Sequence, residues 1–400
     1  MTAPADLIHL KAVLALTGLR LDPSAQALAH GNAEAIDLEL PSRLPVSVPV
    51  LRAVEATPYV LTVRAGQSFV EAPERVPPVP VRATRAPRFY ERTTSQGTPM
   101  GRVARLHGRL LVVAPGGACG FGVRGSPCPF CLEGARADAT RGTRPSTNDV
   151  IEVVQAALAE GTADVVYFNS CAFDADDGGI AFLAPYIQAV RRHVDALIAV
   201  QVHPPATRDW VARTYAMGVD AVSYNLEIFD PDVLMKQCVG RARYIGRARY
   251  LDVLEHAARI FPSGAVWTEL VAGLEPREST MAGIDALVGI GVLPVLVLNR
   301  LAVRPGANGR LLDDVDALVA HLFDAVRRGG INMGWVHGLP LGIAPLDAGR
   351  TRHEVPRLAA AIGRLRRARV GALAIRNLAR VRRRLRVRTD EADAAHGKHA

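Results

Sequence analysis

The chain has 400 residues, 49% of them hydrophobic and 22% charged, a globular composition long enough for one large domain with a smaller companion. No apolar stretch reaches the roughly 18 uncharged residues of a membrane span, and five cysteines are too few and too odd a number for a disulfide framework. Twelve arginines and no acid lie between Arg357 and Arg388; removing their charge from the net +9 leaves −3, which excludes a uniformly polyanion-binding body and leaves a basic tail.

Met1 to Gly18 lacks the basic n-region and small-residue cleavage site of a secretory leader. With thiols expected to stay reduced, this predicts a cytoplasmic chain. Helical patterns over Leu7–Thr17 and Ser24–His30 precede apolar runs such as Tyr59–Val63. Pro73, Pro77, Pro78, Pro80 and Pro87 have the composition of an extended connector. Residues 1–88 therefore read as an N-terminal extension with a Pro-rich linker.

From Arg109 the pattern becomes strand, loop, helix, repeated. Short apolar runs at Leu110–Ala114, Val165–Phe168, Ala196–Val202, Ala221–Tyr224, Val266–Ala272 and Leu293–Leu298 predict strands. Helical patterns intervene or follow at Asp149–Glu160, Ile180–Val194, Thr207–Met217, Tyr250–Ile260, Thr280–Ile290 and Asp313–Arg328. Six β/α units without hairpin signals between them imply a parallel sheet with right-handed crossovers. A doubly wound sheet fits the alternation, but no G-x-G-x-x-G follows any strand. Residues 89–350 are accordingly read as an α/β fold, a partial or full parallel (β/α) TIM-like barrel with its functional groups on the loops after the strands. Residues 351–400 read as a basic amphipathic helical tail, suited to an RNA, an acidic membrane surface or a partner protein, or else a solvated arginine-rich helix.

Directly after the first of these strands comes Cys119-Gly-Phe-Gly-Val-Arg-Gly-Ser-Pro-Cys128-Pro-Phe-Cys131. The C-x8-C-x2-C spacing puts three thiols in one loop. Gly120, Gly122 and Gly125 let its backbone fold back, and Pro127 and Pro129 stiffen the last turn. Three thiolates are the donor set of a [4Fe–4S] cluster with one iron left open. The same cysteines with His107 would make a Cys₃His structural zinc site. Zinc ribbons and knuckles are small autonomous units, whereas this loop opens a long β/α series, which favours the cluster.

With Phe130 before the last cysteine, this stretch resembles the radical S-adenosylmethionine (SAM) superfamily, nearest its biotin synthase and lipoyl synthase branch. The resemblance runs from about Pro99 to Pro305, and the first gap of eight residues replaces the usual three. Ser223-Tyr-Asn225-Leu-Glu227 is similar to the Asn-Leu-Asp/Glu segment that contacts SAM in that branch. An amide and a carboxylate two apart on a strand share a face and could bond one ribose diol. The run from Gly240 through Glu255 looks like the Pro-Gly-x-x-Tyr…Arg-Leu stretch, with Arg243 and Arg249 as candidates for the SAM carboxylate. Val271-Ala-Gly-Leu-Glu275 is similar to the fifth-strand Gly-Leu-Gly-Glu segment near the adenine. In place of Gly-Gly-Glu after the second strand stands Phe168-Asn169-Ser170-Cys171, whose Asn169 and Ser170 could supply polar contacts. The resemblance implies reductive cleavage of SAM at the cluster, hydrogen abstraction from a small-molecule substrate, and an electron donor such as flavodoxin or ferredoxin.

Three further residues are candidates for chemistry. Cys171 and Cys238 are expected at the same barrel mouth, as incidental buried thiols or as groups that bond substrate. His203 follows the third strand as a proton donor, a substrate contact or a solvated loop residue. Asp174, Asp176 and Asp177 lack the twelve-residue calcium pattern and read as helix caps. The absence of a second cysteine triad disfavours sulfur insertion. Other readings are an RNA- or peptide-modifying radical SAM enzyme and, in another class, a zinc-stabilised nucleic-acid-binding protein.

Overall fold

A computed structural model describes residues 4–28, 35–50, 57–72, 75–84, 86–116, 119–131, 144–170, 176–298 and 308–351. Cys171, Asp174 and the arginine-rich tail from 352 onward lie outside the described residues.

The N-terminal part begins with helix α1 (Pro4–Thr17), followed by β1 (Arg20–Leu21), β2 (Ala35–Leu40), β3 (Leu44–Pro49), β4 (Val60–Arg64), β5 (Gln67–Ala72) and β6 (Arg75–Ala83). These strands form one sheet in the order β1-β4-β5-β6-β2-β3, antiparallel except where β1 meets β4. Two expectations change here. The helical pattern at Ser24–His30 is a 3-10 stretch, Pro23–Leu28. Pro77, Pro78 and Pro80 of the proline-rich run lie in a strand, not a connector, with Pro80 opposite Phe69, while Pro73 lies outside the described residues. The strand meets β2 only through Arg82 and Ala83. The prolines thus fall where β6 has β5 alone beside it, the edge-like setting in which a residue without N–H is tolerated.

The larger part runs α2 (Met100–Val103), β7 (Ala104–His107), β8 (Leu110–Val113), α3 (Gly120–Val123), α4 (Thr147–Ala159), β9 (Val165–Asn169), α5 (Ile180–His193), β10 (Leu197–Gln201), α6 (Asp209–Ala216) and β11 (Ala221–Ser223). It continues with α7 (Pro231–Gln237), α8 (Val239–Tyr244), α9 (Arg247–Ile260), β12 (Val266–Val271), α10 (Arg277–Gly289), β13 (Leu293–Val297), α11 (Asn308–Arg328), β14 (Gly342–Ile343) and α12 (Pro345–Thr351). The sheet order is β14-β13-β12-β11-β10-β9-β8-β7. Strands β8 to β13 are parallel neighbours in strict chain order, and β7 and β14 are antiparallel edges. A doubly wound sheet reverses its order at a switch point. This one does not reverse, and its two edges are not paired, so it is a partial (β/α) barrel.

Period-two alternation sorts the strand residues onto two faces. Leu111, Val166, Phe168, Ile198, Val200 and Leu296 are wholly buried, as a face covered by helices requires. On the opposite face Asn169, Gln201 and Glu269 keep partial exposure, and so do Val112, Leu197 and Val297. The barrel interior is therefore lined but not filled, and it turns polar toward the carboxyl ends of the strands.

Helix α1 packs against β3 on one side and against α11 and α12 on the other. From it the fully buried Lys11 donates to the carbonyls of Leu339 and Gly342, at 2.6 Å each. Burial draws this ammonium down to about 8, with Asp347 opposing. At the same seam the β7–β8 turn has no room for a side chain, because a Cβ on Gly108 would lie 2.2 Å from the carbonyl oxygen of Gly338. The segment before β14 thus meets both the N-terminal helix and the turn that begins β8.

A second fastening lies at the amino ends of the strands. Arg191, at the end of α5, bonds the carbonyls of Gly218 and Ala196 and the Asp220 carboxylate. Asp220 also accepts the N–H of Ile198 at 3.0 Å. Both side chains are nearly buried, so losing one would strand the other without solvent to replace it. Among the described residues no helix is long and apolar enough to cross a membrane.

Two outcomes follow from these fastenings. Arg191→Ala should cost about 3–5 kcal/mol, read as a fall in the denaturant midpoint at unchanged slope. His107 is held down to about 4 by burial and by Lys11. The unfolded chain therefore binds more protons between about 4 and 6.5, and stability must fall as pH drops through that window. His107→Leu should flatten this part of the stability–pH curve; an unchanged curve would show that His107 is not its source.

Candidate active site

The cysteine loop leaves the carboxyl end of β8. Its eight-residue gap is occupied by a short helical turn, α3, for which Cys119 is the N-cap residue and accepts the Val123 N–H at 2.9 Å. The Ser126 N–H returns to the Phe121 carbonyl at 2.8 Å, and Cys131 N–H bonds the Cys128 carbonyl at 3.1 Å. Gly125, at φ +69°, supplies the left-handed turn between them. The long spacing therefore does not loosen the loop: the extra residues form their own hydrogen-bonded turn. Cys128 and Phe130 are buried, while Cys119 and Cys131 are partly exposed.

Helix α8 lies against this loop at a distance only glycine permits. A Cβ on Gly240 would come within 2.5 Å of the Ser126 carbonyl oxygen and 2.8 Å of Phe121 Cβ. Phe121 is wholly enclosed, edge-on to His203 at 4.8 Å between centroids and stacked on Tyr244 at 6.4 Å. The same approach brings Cys238, between α7 and α8, into hydrogen-bonding contact with Cys128. The Cys238 thiol and the Arg241 guanidinium draw Cys128 down to about 6, toward its thiolate, against the effect of burial. Cys238 itself is pushed up, first by this hydrogen bond and then by burial, so it is the thiol that donates.

Arg241 is buried at the centre of this arrangement. Nη1 donates to the Asn225 carbonyl and to Tyr250 Oη at 2.9 Å; Nη2 meets Glu227 at 3.0 Å. Burial pushes the Glu227 carboxyl up, opposed by Arg241. Arg241 was not among the arginines singled out from the sequence. Arg243 is exposed and Arg249 partly exposed, and the structure brings neither into this network.

The Asn225–Glu227 pair is also arranged differently from a continuous strand. Strand β11 ends at Ser223, and Glu227 has a left-handed φ of +71°. The chain stays beside β12 through the Glu227 N–H to the Glu269 carbonyl at 2.9 Å and the Val271 N–H to the Glu227 carbonyl at 2.8 Å. Thr268 Oγ1 pins the segment by donating to Tyr224 O at 2.8 Å and accepting from Leu226 N–H at 2.9 Å. Asn225 Nδ2 donates to Glu269 Oε2 at 2.7 Å, and its oxygen accepts from Ser223 Oγ. The amide thus turns to Glu269 and the carboxylate to Arg241.

Glu269, missed by the sequence reading, sits mid-strand on the interior face. Burial and the nearby Glu227 push its carboxyl up to about 8. Below it in the interior, Tyr167 and Trp267 stack at 5.8 Å, and Tyr167 Oη donates to Gln201 Oε1 at 2.7 Å. The signal was available: within Val266-Trp-Thr-Glu-Leu-Val271, alternate residues Trp267 and Glu269 share one face.

The other sequence candidates are placed as follows. Asn169 ends β9 beside Gln201, and Ser170, buried, donates its N–H to the Gln201 carbonyl at 3.1 Å. His203 is buried rather than solvated, and burial followed by Arg241 holds it down to about 3, a neutral imidazole. Glu275 accepts the N–H of Asp230 at 2.7 Å and that of Phe229, shared between its two oxygens, so it secures the turn before α7. His107 lies at the amino-terminal end of β8, opposite to the end from which the cysteine loop departs. Among the described residues no three of His, Cys, Asp and Glu are gathered so as to hold a metal ion.

No family model matches the chain. Over 112 residues it is 25% identical to the bacteriochlorophyllide c C-7(1)-hydroxylase of Chlorobaculum limnaeum, a stretch making up 28% of this chain and 27% of that protein. The match thus spans about a quarter of that relative's length. Among solved structures, the FeFe-hydrogenase maturase HydG from Carboxydothermus hydrogenoformans aligns at a TM-score of 0.39 and 16% identity, over 56% of this chain and 57% of that one.

Proposed function

We propose that the protein is a radical SAM enzyme that abstracts hydrogen from a small-molecule substrate. The observation that carries the reading is the cysteine loop at the carboxyl end of β8, with the Cys128 sulfur drawn toward its thiolate beside Arg241. It sits on an open, sequential (β/α) barrel with a polar interior. The donor set suits a [4Fe–4S] cluster better than zinc. A zinc ion needs four donors around one point, about 2.0–2.3 Å away, and His107 is not at this end of the barrel. A four-iron cluster takes each thiolate on a different iron, so Cys119, Cys128 and Cys131 need not converge.

Held by Cys119, Cys128 and Cys131, such a cluster would supply the electron for reductive cleavage of SAM. The chain's own share is positioning and exclusion of water. Asn169, Gln201 and Glu269 line the interior with hydrogen-bonding groups, and Tyr167 and Trp267 form an apolar floor. His203 and Phe121 close the wall beside the cysteine loop. Glu269, neutral below about pH 8, can donate as well as accept a hydrogen bond to a ligand in this interior. An acidic one-electron carrier of the flavodoxin or ferredoxin kind is the proposed reductant. The short likeness to a hydroxylase supports functionalisation of a C–H bond as the reaction class, for which hydrogen abstraction is the first step.

Anaerobically purified protein should be brown, carry about four irons and sulfides per chain, and form 5′-deoxyadenosine from SAM and dithionite. Colourless protein binding a single zinc would refute the reading. Each of Cys119→Ala, Cys128→Ala and Cys131→Ala should abolish both iron loading and 5′-deoxyadenosine formation. Glu269→Leu should keep the cluster but slow 5′-deoxyadenosine formation about tenfold, the effect of losing one interior hydrogen bond worth ~1.4 kcal/mol; an unchanged rate removes Glu269 from the binding interior.

A further inference from the structure

Three large apolar side chains of the described residues are exposed, Val123 (72%), Met235 (47%) and Tyr244 (38%), and all three belong to one neighbourhood at the cysteine loop. Val123 ends α3, between Cys119 and Cys128; Tyr244 ends α8, and Met235 stands late in α7. These pieces are held together. Tyr244 stacks on the enclosed Phe121 of α3, the Arg124 guanidinium lies 5.0 Å from the centroid of the Tyr244 ring, and α7 packs against α8. Scattered exposed apolar residues need no explanation, but apolar side chains gathered on one rim mark an interaction site.

The charge around them has one sign. Residues 119–131 and 235–250 contain six basic residues and no Asp or Glu, and of the six Arg124, Lys236 and Arg243 are exposed. The chain without its arginine-rich tail carries −3, so this positive charge is local. A surface of that sign repels the basic stretch 357–388 of the same chain and attracts an acidic partner. The apolar centre points to a protein: Met, Tyr and Arg are enriched at protein interfaces. Single-stranded nucleic acids are held on successive stacking aromatics, and Tyr244 is the one exposed aromatic ring among the described residues. A few apolar side chains within a charged rim suit the small, transient contacts through which electron-transfer partners meet.

We infer that this rim is the docking surface for an acidic one-electron carrier protein, which reduces the cluster from the side of the cysteine loop. The inference rests on the cluster reading above. Val123 and Arg124 belong to the loop whose cysteines would hold the cluster, so a carrier seated on them lies against that loop. The carrier is oxidised by one electron and the cluster reduced by one, and no bond forms between the two proteins.

The test compares 5′-deoxyadenosine formation driven by a protein carrier with that driven by dithionite, a small reductant that needs no docking surface. The carriers are reduced flavodoxin and reduced ferredoxin, each supplied below saturation to the reconstituted holoprotein. Wild type should accept electrons from at least one of them, at a rate that falls as salt is raised. Val123→Glu, and separately Met235→Glu combined with Lys236→Glu, should slow the carrier-driven rate about tenfold, a loss of ~1.4 kcal/mol of docking energy. Iron content and the dithionite-driven rate should not change. Carrier-driven rates equal to wild type in both variants overturn the inference, and so does a wild type that turns over with dithionite but with neither carrier. Equal loss of both rates in both variants overturns it too, since the rim would then serve the cluster itself. Weakened RNA binding with an unchanged carrier-driven rate would overturn it in favour of a nucleic acid. A wild type that takes up no cluster instead overturns the reading on which the inference rests.

Discussion

Arg241 is the group on which the geometry of the barrel mouth depends. A guanidinium removed from water must find acceptors or destabilise the fold by several kcal/mol, and here those acceptors come from separate pieces of chain. The Asn225 carbonyl, the Glu227 carboxylate and Tyr250 meet it from the segment after β11 and from α9, and Cys128 meets it from the cysteine loop. Satisfying one charge therefore fixes the relative positions of three segments. The same charge acts on two buried neighbours, adding to the burial that keeps His203 neutral and opposing the burial that raises Glu227. Coulombic effects of this size survive only where solvent is excluded, and the enclosed Phe121 beside the guanidinium contributes to that exclusion.

The sheet supplies the other half of the design. Its outer face is apolar and fully covered, which anchors the strands against the helices. Its inner face is free to carry Asn169, Gln201 and Glu269 because the unpaired edges leave the interior incompletely filled. A closed barrel of this kind packs its interior with branched apolar side chains. Opening the wall exchanges part of that packing energy for room, and the Lys11 fastening lies on the β14 side of the opening.

The strands and most helices of the barrel were legible because each apolar run, four to seven residues long, is bounded by polar turns, and the intervening stretches have helical periodicity. The cysteine loop was legible from spacing alone. Three things were not. The strand nature of Arg75–Ala83 was masked by its prolines, which are tolerated only because β2 joins the strand beyond them. Arg241 could not be told from Arg243, since the two differ in burial and not in type, and burial follows from the Gly240 contact with a loop distant in sequence. Asn225 and Glu227 were read as strand neighbours, but the positive φ at Glu227 turns its carboxylate elsewhere, and a left-handed glutamate carries no composition signal.

The contact of Lys11 with Leu339 and Gly342 changes how the first 88 residues are to be regarded. Two carbonyls beside the last strand of the barrel find their donor more than 300 positions earlier in the chain. The N-terminal helix is thus a clasp for the larger fold rather than an appendage. In a growing polypeptide it emerges first and must wait, with an amine to bury and nothing to bury it against, until the last strand has left the ribosome. Completion of this contact is consequently a late event that joins both ends of the described chain.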